Sequence, residues 1–176
     1  MSAGVARLVP WVSISIGSNS GARENFSTCL DMLLLQFHDL ALSSVYESDA
    51  EDGASTYLNM AAGFETELPL QALTQWLKHC EAKHGRKRDP ASRHEVPLDL
   101  DLLTYGEKSG NVDGIVLPHP DIPAKPYVLV PLAQIAGKRK HPVLKKTFAE
   151  LRQEMPASTL RPVLFQWHGR ELSRSN

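Results

Sequence analysis

Two stretches of this chain set apolar side chains at helical spacing, and each lies between short stretches that read as strands. In the first, Phe26, Cys29, Leu30, Leu33, Leu34 and Phe37 form one stripe at intervals of three and four residues. In the second, Leu70, Leu73, Leu77, Cys80 and His84 do the same, with Pro69 suited to a first turn and Gly85 to a stop. Trp11–Ile16 alternates like a strand and ends at the breaker cluster Gly17-Ser18-Asn19-Ser20-Gly21. Leu40–Tyr46 and Leu58–Thr66 read as the second and third strands, with an acidic loop, Glu47–Thr56, between them. After a long polar segment, residues 85–97, Leu98–Tyr105 reads as the fourth. Strand–helix–strand–strand–helix–strand is the order of an α+β, ferredoxin-like βαββαβ core, a mostly antiparallel sheet with helices packed on it. Beyond it the pattern predicts a short strand near Ile115–Leu117 and helices near Lys125–Ala136 and Lys145–Met155. From Arg161 the chain adds either another strand or a tail.

A chain of 176 residues suits a single domain. Its formal net charge of −1 gives no support to general nucleic-acid binding. No apolar run approaches the roughly 20 residues of a membrane span, and Met1–Pro10 lacks a secretory core. Cys29 and Cys80 fall in helical patterns as small buried hydrophobes, so the expected setting is reducing and cytoplasmic.

The most pointed local feature is Leu98-Asp99-Leu100-Asp101-Leu102. On a strand the two aspartates share a face, with carboxylates about 7 Å apart. Their repulsion, on the order of 2 kcal/mol at an effective dielectric of 20, favours a cation beside them. Hard oxygen ligands suit Mg²⁺ with phosphates and water; the other reading is a solvated acidic face. Arg86, Lys87, Arg88 and Arg93 precede this strand, opposed by Asp89 and Glu95. Carboxylates for a metal beside guanidinium groups for phosphate oxygens are what a magnesium–polyphosphate substrate requires. A solvated charged loop is the alternative for residues 85–97. There is no G-x-x-x-x-G-K-[ST] phosphate loop. Gly17-Ser18-Asn19, between strand and helix, offers a weak anion-binding turn instead. His119, in Leu117-Pro118-His119-Pro120, is either an imidazole pre-positioned by two prolines or a surface turn histidine.

In this order the segments Ser15-Ile16-Gly17-Ser18-Asn19, Ser43-Ser44-Val45-Tyr46, Tyr57-Leu58-Asn59, Glu81 with Gly85-Arg86, Leu98–Leu103, Leu117-Pro118-His119-Pro120 and Tyr127–Leu132 resemble one family. It is the 6-hydroxymethyl-7,8-dihydropterin pyrophosphokinase family of folate biosynthesis, and the resemblance covers roughly residues 11–155 of a domain taken as 1–176. The resemblance implies a ferredoxin-like core that transfers pyrophosphate from ATP to the pterin hydroxymethyl group and releases AMP. It implies two Mg²⁺ ions on Asp99 and Asp101, with Arg86, Arg88, His119, Lys78, Glu81 and Lys125 on the ATP side. Tyr57, Asn59, Tyr127 and Ser48 match the pterin side, Tyr127 standing where the family usually has Phe. The catalytic residues carried over are Arg86, Asp99, Asp101 and His119.

The departures are specific. Arg93 and Val96 stand where the family carries a pterin-stacking Trp and a catalytic-loop Arg. Glu47-Ser48-Asp49-Ala50-Glu51-Asp52 replaces a Thr-Pro-rich loop. Lys125 and Gly114 stand where arginines are usual, and Lys lacks the bidentate fork. The metal face is therefore better matched than the pterin pocket or the full phosphate clamp. Three readings stand: the pyrophosphokinase, a divergent paralogue that binds ATP or a pterin with little turnover or a modified substrate, and a metal-dependent phospho- or nucleotidyltransferase on another substrate. The partners expected are small molecules, ATP and a pterin, for a monomer.

Overall fold

Val12, Ile14 and Ile16 alternate with Ser13, Ser15 and Gly17, so the first strand has one bulky apolar face and one of small residues. In a computed structural model, which describes residues 8–86, 89, 91 and 94–173, that asymmetry organises the fold. The elements are β1 (Trp11–Ser18), α1 (Ala22–Phe37), β2 (Ala41–Leu42), β3 (Val45–Asp49), β4 (Thr56–Glu65), α2 (Leu70–Lys83) and β5 (Asp99–Tyr105). They continue with β6 (Gly110–Val112), β7 (Ile115–Leu117), α3 (Pro126–Ala136), α4 (Phe148–Glu154), β8 (Arg161–Val163), β9 (Gln166–Trp167) and β10 (Arg170–Glu171). The main sheet runs β5-β1-β4-β3-β8, with β2 also paired to β4, and each pairing is antiparallel. Its β5-β1-β4-β3 portion, with α1 and α2 as the crossovers, is the ferredoxin-like core.

One face of the sheet, with Ile14, Ile16, Met60, Leu100 and Leu102, closes against Phe26, Leu30 and Leu33 of α1 and Leu73 and Leu77 of α2. Each such side chain, fully buried, contributes about 1.5–3 kcal/mol. The other face is covered only in part. Leu103 joins Ile122, Val128, Leu129 and Leu132 in a second cluster under α3, completed by Phe148 and Leu151 of α4. A register shift of β1 against β5 at Ser13/Ile14 accompanies this change of partner along β5. Gly63 is required here, because a Cβ on it would come within 2.2 Å of the Trp11 ring, over which Arg139 lies at 4.2 Å.

The second expected strand, 40–46, is divided in the structure. Ser43 Oγ accepts the Ala61 N–H at 2.9 Å while the Ser43 N–H donates to Ala61 O at 3.0 Å. The Ser44 N–H turns away to Gln134 Oε1 at 2.8 Å. Strand pairing then resumes through Glu47, Ser48 and Asp49, so the acidic loop between strands shortens to residues 50–55. β8 covers this edge, and Arg161 pairs with Glu47 at 2.9 Å and Asp49 at 3.2 Å. Its Pro162 is tolerated because β8 is the outermost strand. The segment from Arg161 thus adds strands, and the β6–β7 hairpin supplies one more than the pattern predicted. No helix among the described residues is long and apolar enough to cross a membrane.

Candidate active site

The small-residue face of β1 is the floor of the site. Gly17 lies opposite Asn59 of β4 on one side and Asp99 of β5 on the other, and Ser15 lies opposite Asp101. A Cβ on Gly17 would come to 3.7 Å from Asn59 Oδ1 and 4.0 Å from the Asp99 Cβ. Glycine therefore leaves room between an amide and a carboxylate on neighbouring strands. Continuing across the sheet, Ser48 lies opposite Tyr57, and Asn59 Nδ2 donates to Ser48 Oγ at 2.8 Å. The sheet register, not any local motif, aligns Ser48, Tyr57, Asn59, Asp99 and Asp101 on one face.

Two cavities open there. The first, about 440 Å³, is lined by Ser48, Tyr57, Asn59 and Tyr127, together with Asn19, Glu51, Asp52, Ser55, His94 and Asp121. The second, about 470 Å³, is lined by Lys78 and Glu81 of α2, Arg86, His119 and Thr74. Asp99 and Asp101 line both. Lys125 lines neither: it ion-pairs with Glu51 at the rim of the first. Arg88 lies outside the described residues, as does Arg93. The Gly17-Ser18-Asn19 turn, expected as a weak anion site, is occupied internally. The Asn19 N–H donates to Val96 O at 2.9 Å, and the Asn19 side chain accepts the Val96 N–H at 2.7 Å.

Charge at the junction is unbalanced. Burial, and then the neighbouring Asp99, push the Asp101 carboxyl up to about 6. Arg86 Nη2 lies 3.5 Å from Asp99 Oδ1, while Arg86 Nη1 is buried and without a hydrogen-bond partner among the described residues. A buried guanidinium nitrogen with no acceptor costs free energy that an anionic oxygen would recover. Burial also raises the phenols of Tyr57, with help from Asp99, and of Tyr127. His119 Nδ1 accepts the Asp121 N–H at 3.2 Å, which puts the proton of the neutral ring on Nε2 as a donor. Glu81, buried, accepts the Leu100 N–H at 2.9 Å and so fixes β5 between its two aspartates. No group of three or more His, Cys, Asp or Glu that could hold a metal is found among the described residues. The Asp99–Asp101 pair nonetheless fits Mg²⁺, which takes one or two carboxylates and completes its shell with water and phosphate. A carboxylate held against its preference by burial and a like charge is what such a cation relieves.

A chain with this topology and this pair of cavities matches one family model across residues 13–137, that of 7,8-dihydro-6-hydroxymethylpterin-pyrophosphokinase (HPPK). The chain belongs to the HPPK family. It is 32% identical over 147 residues to the 2-amino-4-hydroxy-6-hydroxymethyldihydropteridine pyrophosphokinase of Bacillus subtilis, covering 80% of this chain and 85% of that one. It is 31% identical over 160 residues to the Folic acid synthesis protein fol1 of Pneumocystis carinii, covering 87% of this chain but only 21% of that one. The HPPK-DHPS of Plasmodium falciparum, solved with pteroate, shares the fold with a TM-score of 0.63 at 12% identity, over 83% of this chain and 44% of that chain. Against these longer relatives, the chain spans less than half of their length.

The family resemblance did not single out Asn19 as a cavity residue, nor Glu51, Asp52, Ser55, His94 or Asp121. Four of these had a nearby signal: Asp121 directly follows the Pro118-His119-Pro120 turn, Asn19 ends the segment Ser15–Asn19, and Glu51 and Asp52 lie in the loop that departs from the family's Thr-Pro-rich one. The others are short polar residues in loops, and only the way the loops meet brings them to the cavity.

Proposed function

We propose that this chain transfers the pyrophosphoryl group of ATP to the hydroxymethyl oxygen of 6-hydroxymethyl-7,8-dihydropterin, as an Mg²⁺-dependent diphosphokinase of folate biosynthesis. One observation carries the reading: two cavities meet at Asp99 and Asp101, one with a phenol-and-amide lining and one with cationic groups. The name of the Bacillus subtilis relative supports the same substrate.

In this reading the first cavity takes the pterin. Tyr57 and Tyr127 offer aromatic faces to a flat heterocycle, and Asn59, with Ser48 fixing its amide, reads a donor–acceptor edge. The second cavity takes ATP. The free Arg86 nitrogen, the His119 Nε2–H and Lys78 donate to phosphate oxygens, beside Glu81; Arg88 belongs to the same side by resemblance, whereas Lys125, assigned there by resemblance, joins it only by leaving Glu51. Asp99 and Asp101 would hold the two Mg²⁺ ions, whose chemistry is to screen the phosphate charge. The pterin oxygen attacks the β-phosphorus in line, a bond forms between them, and the bond to the bridging oxygen breaks. That oxygen leaves on AMP, and the hydroxyl proton is lost to solvent. Positioning supplies most of the acceleration. The working unit is one domain, taken as a monomer. The free, buried thiols of Cys29 and Cys80 support a reducing, cytoplasmic setting.

The test is direct. Purified protein with Mg²⁺, ATP and 6-hydroxymethyl-7,8-dihydropterin yields AMP and the pterin diphosphate, separated by chromatography. Asp99→Ala and Asp101→Ala abolish turnover and weaken Mg·ATP binding; unchanged activity in both refutes the metal assignment. A second reading, a paralogue that binds but turns over slowly, is favoured by Val96, whose side chain is buried where the family carries an Arg. ATP binding in calorimetry without product supports that reading instead.

A further inference from the structure

The first cavity is lined by the loop 50–55 and by His94, which begins the limb 94–97 that runs into β5, and the Asn19 side chain hydrogen-bonds to both segments. Resting on the function proposed above, we infer that Asn19 is a positioning residue that sets the walls of the pterin cavity without touching the nucleotide cavity. Asn19 is the first residue beyond β1 and sits on the rigid end of a central strand. Its Nδ2 donates to His94 O at 2.8 Å and to Ser55 Oγ at 3.3 Å. Its Oδ1 accepts the Val96 N–H at 2.7 Å, and its own N–H returns to Val96 O at 2.9 Å.

The carboxamide uses both of its functions here, one acceptor and a two-hydrogen donor, and no other side chain reproduces the set. Asp keeps the acceptor and loses the donors; Gln is one methylene too long; Ser is too short. The limb it grips is tied a second time, because Asn25 Nδ2 donates to Pro97 O at 2.9 Å and to Ser20 O at 2.8 Å. The two asparagines divide the work. Asn25 secures the run into Asp99 from the α1 side, and Asn19 joins that run to the opposite loop by hydrogen bonds to the run's backbone and to Ser55. His94 and Asp52 approach to 3.8 Å across the same cleft, so the gap Asn19 bridges is also one where the two loops meet. Asn19, Ser55 and His94 all line the first cavity, and none of them lines the second. The consequence is asymmetric: loosening Asn19 widens the pterin cavity and leaves the ATP cavity as it was.

The experiment compares wild type, Asn19→Ala, Asn19→Asp and Asn25→Ala in the full chain. Four readouts are taken: KM for pterin and for Mg·ATP with kcat, calorimetric binding of a non-hydrolysable ATP analogue, amide hydrogen exchange, and the melting temperature. Both Asn19 variants raise the pterin KM about tenfold or more and lower kcat, the scale of losing two or three hydrogen bonds at a site where misplacement is costly. Affinity for the ATP analogue stays within about twofold, because its cavity is untouched. Exchange at Val96 accelerates about tenfold in Asn19→Ala, whose acceptor is gone, and less in Asn19→Asp, which keeps it. Asn25→Ala speeds exchange around Pro97 but leaves the pterin KM within about twofold. Equal losses for pterin and ATP with a lowered melting temperature would reduce Asn19 to a structural role and overturn the inference. So would an unchanged pterin KM, or Val96 exchange that does not respond. The exchange readout needs no turnover: a wild type that forms no product refutes the proposed function, while exchange still decides whether Asn19 holds the loops.

Discussion

Replacing Asp101 by Asn should make the metal-free protein more stable while destroying its proposed function. The carboxyl is pushed from 3.8 to about 6 by burial and by Asp99. A difference of about two units is worth about 3 kcal/mol, at 1.36 kcal/mol per unit. The sign follows from the direction. A folded-state pKa above the unfolded one means the fold binds the proton more tightly. That contribution is fully present below 3.8 and is lost as the pH rises through about 6. At pH 7.5 the wild type therefore carries a buried charge that the Asp101→Asn variant lacks. For a chain of this size, 1 kcal/mol moves the melting temperature by about 2–4 °C, so the expected gain is about 6–12 °C, less whatever the new amide leaves unpaired. Melting curves in EDTA at pH 7.5 and pH 4 measure it: a clear gain at the first and little difference at the second. With Mg²⁺ and ATP at pH 7.5 the order reverses, since only the wild type gains from binding. An Asp101→Asn protein no more stable than wild type at pH 7.5 in EDTA would refute the reasoning, because Asp101 would then not be held as an uncompensated charge.

Arg86→Met removes a buried nitrogen that has no partner among the described residues but also the cation 3.5 Å from Asp99, so its two effects on stability oppose each other, while ATP affinity falls about tenfold to a hundredfold, measured by calorimetry. Gly63→Ala drives a Cβ into the Trp11 ring and costs about 1–3 kcal/mol in denaturant melts, with no change in ligand affinity beyond that loss. Val96→Arg buries a guanidinium in a site only 6% exposed, so it lowers the melting temperature and does not raise the rate; a faster variant would mean that the limb re-forms around the new charge.

The long helices are legible because their burial is one-sided and local: of the residues expected to face inward, Phe26, Cys29, Leu30, Leu33 and Phe37 of α1 and Leu70, Leu73, Leu77 and Cys80 of α2 are buried, whereas Leu34 is exposed and His84 falls at the α2 C-cap. Periodicity fails at the sheet's edge. Glu47, Ser48 and Asp49 look like a polar loop, yet they form strand because β4 pairs with all three, β8 pairs with Glu47 from the other side, and Arg161, far along the chain, balances the charge of Glu47 and Asp49. The break before them is equally non-local, since Ser43 and Ser44 spend their hydrogen bonds on Ala61 and Gln134.

By itself the sequence determined the α+β class, the order of the core elements, and the acidic pair on β5 with cations just before it. These depend on spacing along a single element, where geometry is set by the backbone repeat. Only the tertiary structure decided that Asp99 and Asp101 divide two cavities, that Lys125 spends its charge on Glu51, and that Asn19 ties two loops together. Those facts depend on strand register and on which loops meet. Residues as far apart in sequence as Asn19, Ser55 and Val96 become neighbours only after the sheet has chosen its order.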